Sequence, residues 1–184
     1  MTQMTSVKRI TLCAVCIALC YVLPIALHSV GLGNILSPMH IPVLLCGLVC
    51  GGGYGLICGL IGPVVSHLLS GMPPFMMLMR MMPELAVYGL VAGLAMRCIR
   101  TGRASADVYI SLVIAMVVGR IAGGIATAIV YTVTSGVYSI ALWATSYFVE
   151  SVPAVAVHLI LVPVLVFTLQ KARLIPARYP KTTV

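Results

Sequence analysis

Residues 8–30 read KRITLCAVCIALCYVLPIALHSV: two cations, then a run without a single Asp, Glu, Lys or Arg. A helix needs about 20 consecutive apolar residues to cross the hydrocarbon core of a bilayer, and this run supplies them. It lacks a small-x-small cleavage site followed by a soluble domain, so it reads as a retained span and not as a secretory leader. The rest of the chain agrees. Of its 184 residues 61% are hydrophobic and 8% charged, and the mean hydropathy is +1.16. A soluble domain carries roughly 25% charged residues. Eleven basic and three acidic side chains cannot cover a globule of this size, which excludes a soluble monomer. The sequence therefore predicts an all-α integral membrane protein, a six-helix bundle in a single membrane domain over 1–184.

The six apolar stretches fall at about 10–30, 39–51, 53–70, 75–96, 108–133 and 138–170. The second is too short to cross alone and is expected to belong to a bent segment or to a locally thinned bilayer. Prolines at 24, 42, 63, 83, 153 and 163 lie within these stretches or at their ends, where neighbouring helices can satisfy the carbonyls they leave free. Lys8 and Arg9 precede the first span. Arg97, Arg100 and Arg103 fall between the fourth and fifth, and Lys171, Arg173, Arg178 and Lys181 follow the sixth. With six crossings all of these share one side, which the positive-inside rule makes the cytoplasm. The net charge of +8 is thus a membrane-topology signal and not a nucleic-acid surface. The expected location is the cell membrane, multi-pass, in contact with lipid, with both termini cytoplasmic.

Small residues mark helix packing. Gly55-x-x-x-Gly59 and Gly119-x-x-x-Gly123 allow close backbone approach, and Ala14-x-x-x-Ala18 does so at slightly larger distance. The seven cysteines (Cys13, Cys16, Cys20, Cys46, Cys50, Cys58, Cys98) all lie in or beside apolar runs. Their odd number and unpaired spacing argue against a disulfide framework and a zinc site, and they read as small buried hydrophobes.

Charges inside the spans are the candidates for function, because each costs about 3 kcal/mol or more at mid-bilayer on insertion scales. Arg80, Glu84, Arg120 and Glu150 are such charges. Arg80 and Glu84 are four apart on one helical face and are expected to pair. His67 and His40 fall near the same outer end. The group reads either as a structural network holding helices together or as a polar pocket for a small solute, with one arginine left for an anionic group. His28 also flanks the first external loop. His158 reads as a helix-packing hydrogen bonder, and Tyr138 and Trp143 as an interfacial aromatic belt or a stacking surface. The segment GMPPFMMLMRMMP at 71–83 holds six methionines. Thioethers can bind copper(I), but these spread around a whole helical turn, so a lid-like loop feeding an apolar helix is expected instead. No metal and no cofactor is predicted. Phosphate-loop, zinc-protease and serine-hydrolase motifs are all absent from the chain. Uphill transport would therefore need a partner or an ion gradient.

Ala14-x-x-x-Ala18, PMHIPVLLCG at 38–47, GMPP at 71–74 and ELAVYGLVAG at 84–93 together resemble the substrate-binding S components of energy-coupling factor (ECF) vitamin transporters. The likeness covers about residues 8–170 and points to the pantothenate-, folate- and cobalamin-related branch. It implies a subunit that captures a vitamin at the outer face and docks through Ala14 and Ala18 onto a transmembrane coupling protein. Two ATPases drive that protein, and the S component topples in the membrane to release its solute. Pantothenate, a monoanion with hydroxyl and amide groups, is the favoured solute. Arg80 or Arg120 would take its carboxylate, and Glu84 or Glu150 its hydroxyls. Cobalamin, folate and queuosine-type solutes are the alternatives. Two other classes compete: a self-contained ion-coupled carrier or channel, which inverted repeats would support, and a membrane enzyme using Glu84, Glu150 and a histidine, which would need two carboxylates of separated pKa.

Overall fold

The computed structural model describes residues 4–29, 31, 37–133, 139, 143, 145, 151–176, 178 and 179. Among these residues there are six helices and no strand: α1 (Ser6–His28), α2 (His40–Cys50), α3 (Gly52–Ser70), α4 (Phe75–Cys98), α5 (Ala104–Val133) and α6 (Val152–Lys171). Five are long and apolar enough to cross a membrane, and α2 is the exception. The first five expected spans correspond to α1–α5. The sixth corresponds to α6 from Val152 onward, and most of 138–150 lies outside the described residues, Tyr138 and Glu150 included.

The short second stretch forms a helix of its own, separated from α3 by Gly51. At 1.5 Å per residue its 11 residues rise only about 16 Å, roughly half the hydrocarbon core. Every residue of α2 except Val49 is buried. A helix apolar on all sides has no face to give to water, so it stands as a post inside the bundle. One residue, Gly51, joins it to α3, with φ of +104°. A side chain rarely adopts that conformation, and glycine does so freely.

The reversal at Gly51 brings three backbones together. A Cβ added to Gly55 of α3 would lie 2.7 Å from the Cα of Gly47 in α2, and one added to Gly89 of α4 would lie 2.8 Å from the Cα of Gly55. Gly59 faces α4 as well, its added Cβ falling 2.6 Å from the Ala86 nitrogen. Lipid tails are as apolar as the helices, so hydrophobicity does not drive their association. Close van der Waals approach at small residues does. On α5 the second glycine pair performs a different task. Gly119 leaves room for the Tyr88 ring, and Gly123 leaves room for the Glu84 carboxyl, whose Oε2 would be 2.7 Å from an added Cβ.

On α1, Cys13, Cys16, Cys20 and Pro24 form the buried stripe, while Ala14 and Ala18 lie on the exposed face. The cysteines carry no disulfide; six are buried and Cys98 is exposed. Helices α2, α4 and α6 run in one direction. Their first two turns meet at one end of the bundle around His40, Arg80 and His158, and their last turns meet at the other around Cys50, Arg97 and Gln170.

Candidate functional site

A cavity of about 240 Å³ opens where the first halves of α2, α4 and α6 face the middle of α5. From α4 come Met77, Arg80, Met81, Glu84 and Tyr88, which share one helical face by their spacing. From α6 and the residue before it come Ser151, Ala154 and His158. His40 and Arg120 enter from α2 and α5, and Ser37 from just before α2. Four of the expected site residues, His40, Arg80, Glu84 and Arg120, therefore line one cavity.

The expected pairing of Arg80 with Glu84 is not formed. Glu84 Oε1 lies 3.6 Å from His40 Nε2. The Arg80 guanidinium instead reaches across to α5 and lies over the Tyr131 ring, 5.8 Å from its centroid. The cause is the packing of α2 against α4, which presents His40 to the carboxylate. Arg80 sits one turn nearer the start of α4, where α5 is in reach of its long side chain. His40 is oriented from behind, its Nδ1 donating to the Ser37 carbonyl at 3.1 Å. A carbonyl can only accept, so Nδ1 carries a hydrogen, and His40 forms a full ion pair with Glu84 only as imidazolium.

The floor is aromatic and tightly held. The His40 ring meets Tyr88 edge-on at 5.1 Å and stacks on His158 at 5.6 Å. The Tyr88 hydroxyl accepts from Arg120 Nε at 3.3 Å. Tyr88 is 1% exposed and His158 2%, whereas Arg80 is only half-buried. Arg120 is thus built into the wall, and Arg80 stands nearer the mouth. Two guanidiniums and one carboxylate stand among the described lining residues, with imidazole, phenol and hydroxyl groups beside them. Such a site can take a small solute with one anionic group and several hydrogen-bonding groups.

His67 is not among the lining residues. Its Nδ1 donates to the Pro73 carbonyl at 2.7 Å, and Ser66 Oγ donates to the Met72 carbonyl at 2.9 Å. These bonds tie the 71–74 turn to the end of α3. The methionine-rich segment is correspondingly not a loop beyond that turn, since α4 begins at Phe75 and Met77 and Met81 line the cavity from it. Tyr88, Ser37 and the methionines were not among the expected contacts. His158, expected to be a packing residue, both packs and lines the cavity. Tyr88 was open to detection, lying four residues beyond Glu84 and eight beyond Arg80 on the same face. Glu150 lies outside the described residues. Trp143 packs against Gly124 and donates from Nε1 to the Arg120 carbonyl at 3.4 Å.

A family model described as ECF transporter, substrate-specific component, matches residues 8–175. No curated protein and no solved structure matches the chain.

Proposed function

Because the chain belongs to the substrate-specific components of ECF transporters, whose members are substrate-binding membrane subunits and not enzymes, we propose that its cavity binds a small anionic vitamin, pantothenate before others. Members of the family work with a coupling protein and ATPases. The observation that carries the proposal is the convergence of Arg80, Arg120, Glu84 and His40 on one cavity, at the end of the bundle away from Arg9, Arg97 and Arg100. By the positive-inside rule the arginine-rich end is cytoplasmic, which puts the cavity toward the outside and both termini within.

In this reading Arg80, near the mouth, meets the carboxylate first, and Arg120 holds it deeper. Glu84, held by His40, accepts hydrogen bonds from solute hydroxyls. His67 supports the entrance by fixing the 71–74 turn. The 240 Å³ volume falls below the range of about 300–1,000 Å³ usual for ligand pockets, which supports a compact solute over cobalamin. Ala14 and Ala18, exposed on α1, form a shallow strip for a helix of the coupling protein.

Calorimetric titration of the purified chain with pantothenate, folate, cobalamin and queuosine tests the substrate. Pantothenate is expected to bind one to one and to exceed the others by at least about tenfold, or 1.4 kcal/mol. Tighter binding of cobalamin or folate would replace the assignment.

A further inference from the structure

A second, larger cavity lies at the opposite end of the bundle. It is an open cleft of about 1220 Å³ between the start of α1, the α2–α3 turn, the last turns of α4 and α6, and the segment after α6. Arg9, Arg97, Arg100 and Arg178 line it. Arg178 is accounted for: it is ion-paired to Asp107 and donates to the Ile99 carbonyl. The same carboxylate accepts from the Tyr179 hydroxyl at 2.8 Å and the Thr101 hydroxyl at 2.7 Å, and Asp107 is fully buried by them. This latch fixes the segment after α6 against the α4–α5 connection as one wall of the cleft.

The other three guanidiniums have no such partner. Among the described residues no carboxylate lies within 4.0 Å of Arg9, Arg97 or Arg100. Besides Asp107 the chain has only two acids, Glu84 in the opposite cavity and Glu150. Arg9 Nε is also buried without a hydrogen-bond partner. A buried donor of this kind calls for an acceptor that the described residues do not supply. Between the arginines the lining is apolar, with Leu48, Leu94 and Val166, and Leu94 is 47% exposed.

We propose that this cleft binds the phosphate headgroup of an anionic phospholipid, with Arg9, Arg97 and Arg100 as its charged contacts. The guanidinium fork suits phosphate oxygens. Basic pockets between transmembrane helices select anionic headgroups by the same physics. Free phosphate would satisfy the arginines equally, but it leaves the apolar lining beside them uncovered. An acyl chain running past Leu94 covers it. The proposal is independent of the solute in the other cavity.

Native mass spectrometry of the purified chain, offered equal amounts of phosphatidylglycerol and phosphatidylcholine, tests it. The wild type is expected to retain phosphatidylglycerol, and Arg9→Gln/Arg97→Gln/Arg100→Gln to retain at least about tenfold less. Arg103→Gln/Arg173→Gln, which removes cations outside the cleft, is expected to retain it as the wild type does. If the triple variant does not fold, Arg100→Gln, at an exposed position, is expected to lose at least about threefold by itself. Equal retention of the two lipids, or equal loss in the control variant, overturns the proposal. So does displacement of the lipid by millimolar inorganic phosphate, which assigns the cleft to the free ion. Unchanged lipid retention in the triple variant, with loss of assembly onto the coupling protein, would assign it to that protein.

Discussion

Arg80→Met is expected to weaken solute binding by about ten- to a hundredfold and to leave the thermal midpoint of the purified chain almost unchanged. A charge-assisted hydrogen bond contributes about 1.5–3 kcal/mol, which sets the range. Little stability goes with it, because Arg80 is half-buried and its partner within the chain is the face of Tyr131. Such a contact at a partly exposed site is worth only about 0.5–1 kcal/mol. Arg120→Met is expected to differ in kind. Its guanidinium is buried and donates to the Tyr88 hydroxyl, itself buried. Affinity should fall by a similar factor, and stability by a further 1–3 kcal/mol or so, as an acceptor loses its donor. Titration and thermal melting of the two variants side by side separate the roles. A folded Arg80→Met variant with wild-type affinity would remove Arg80 from the site and leave Arg120 as the anion contact.

Ala14→Trp is expected to abolish uptake while solute binding to the isolated subunit stays near that of the wild type. The residue lies on the exposed face of α1, turned away from the Cys13–Cys16–Cys20 stripe that packs into the bundle. An indole there holds a partner helix several ångströms off and removes the close packing on which association within a bilayer depends. None of the cavity-lining residues belongs to α1, so the site itself is untouched. The same holds for Ala18→Trp, one turn on. Uptake and binding lost in parallel would mean instead that the substitution damages the bundle.

The long spans were legible because crossing a bilayer demands about 20 apolar residues, a requirement that leaves a continuous signature. The role of α2 was not. Its hydrophobicity marks burial, and burial in lipid cannot be told from burial in protein by composition alone. Only the glycines that bring Gly47, Gly55 and Gly89 together decide it. The candidate site was legible in its members but not in its bonds. Charges in a span announce themselves by their insertion cost. Arg80 and Glu84 do share a face, yet the helix rule that predicts their pairing ignores what other helices bring. His40 arrives from α2 and takes the carboxylate. Tyr88 carries no charge and so no insertion cost to mark it; its spacing from Arg80 and Glu84 is its one signal in the sequence, and its ring fills the space that Gly119 leaves. The depth of His67 matches that of the charges, whereas its bond to Pro73 gives it a local task.

Reconstitution tests the central claim most directly. The chain is placed in liposomes alone, or together with a coupling protein and two ATPases, and labelled pantothenate is offered from the side of the 240 Å³ cavity. The account predicts that the chain alone binds the label without accumulating it, and that accumulation requires the complete assembly and ATP. Accumulation by the chain alone, driven by an ion gradient, would contradict it.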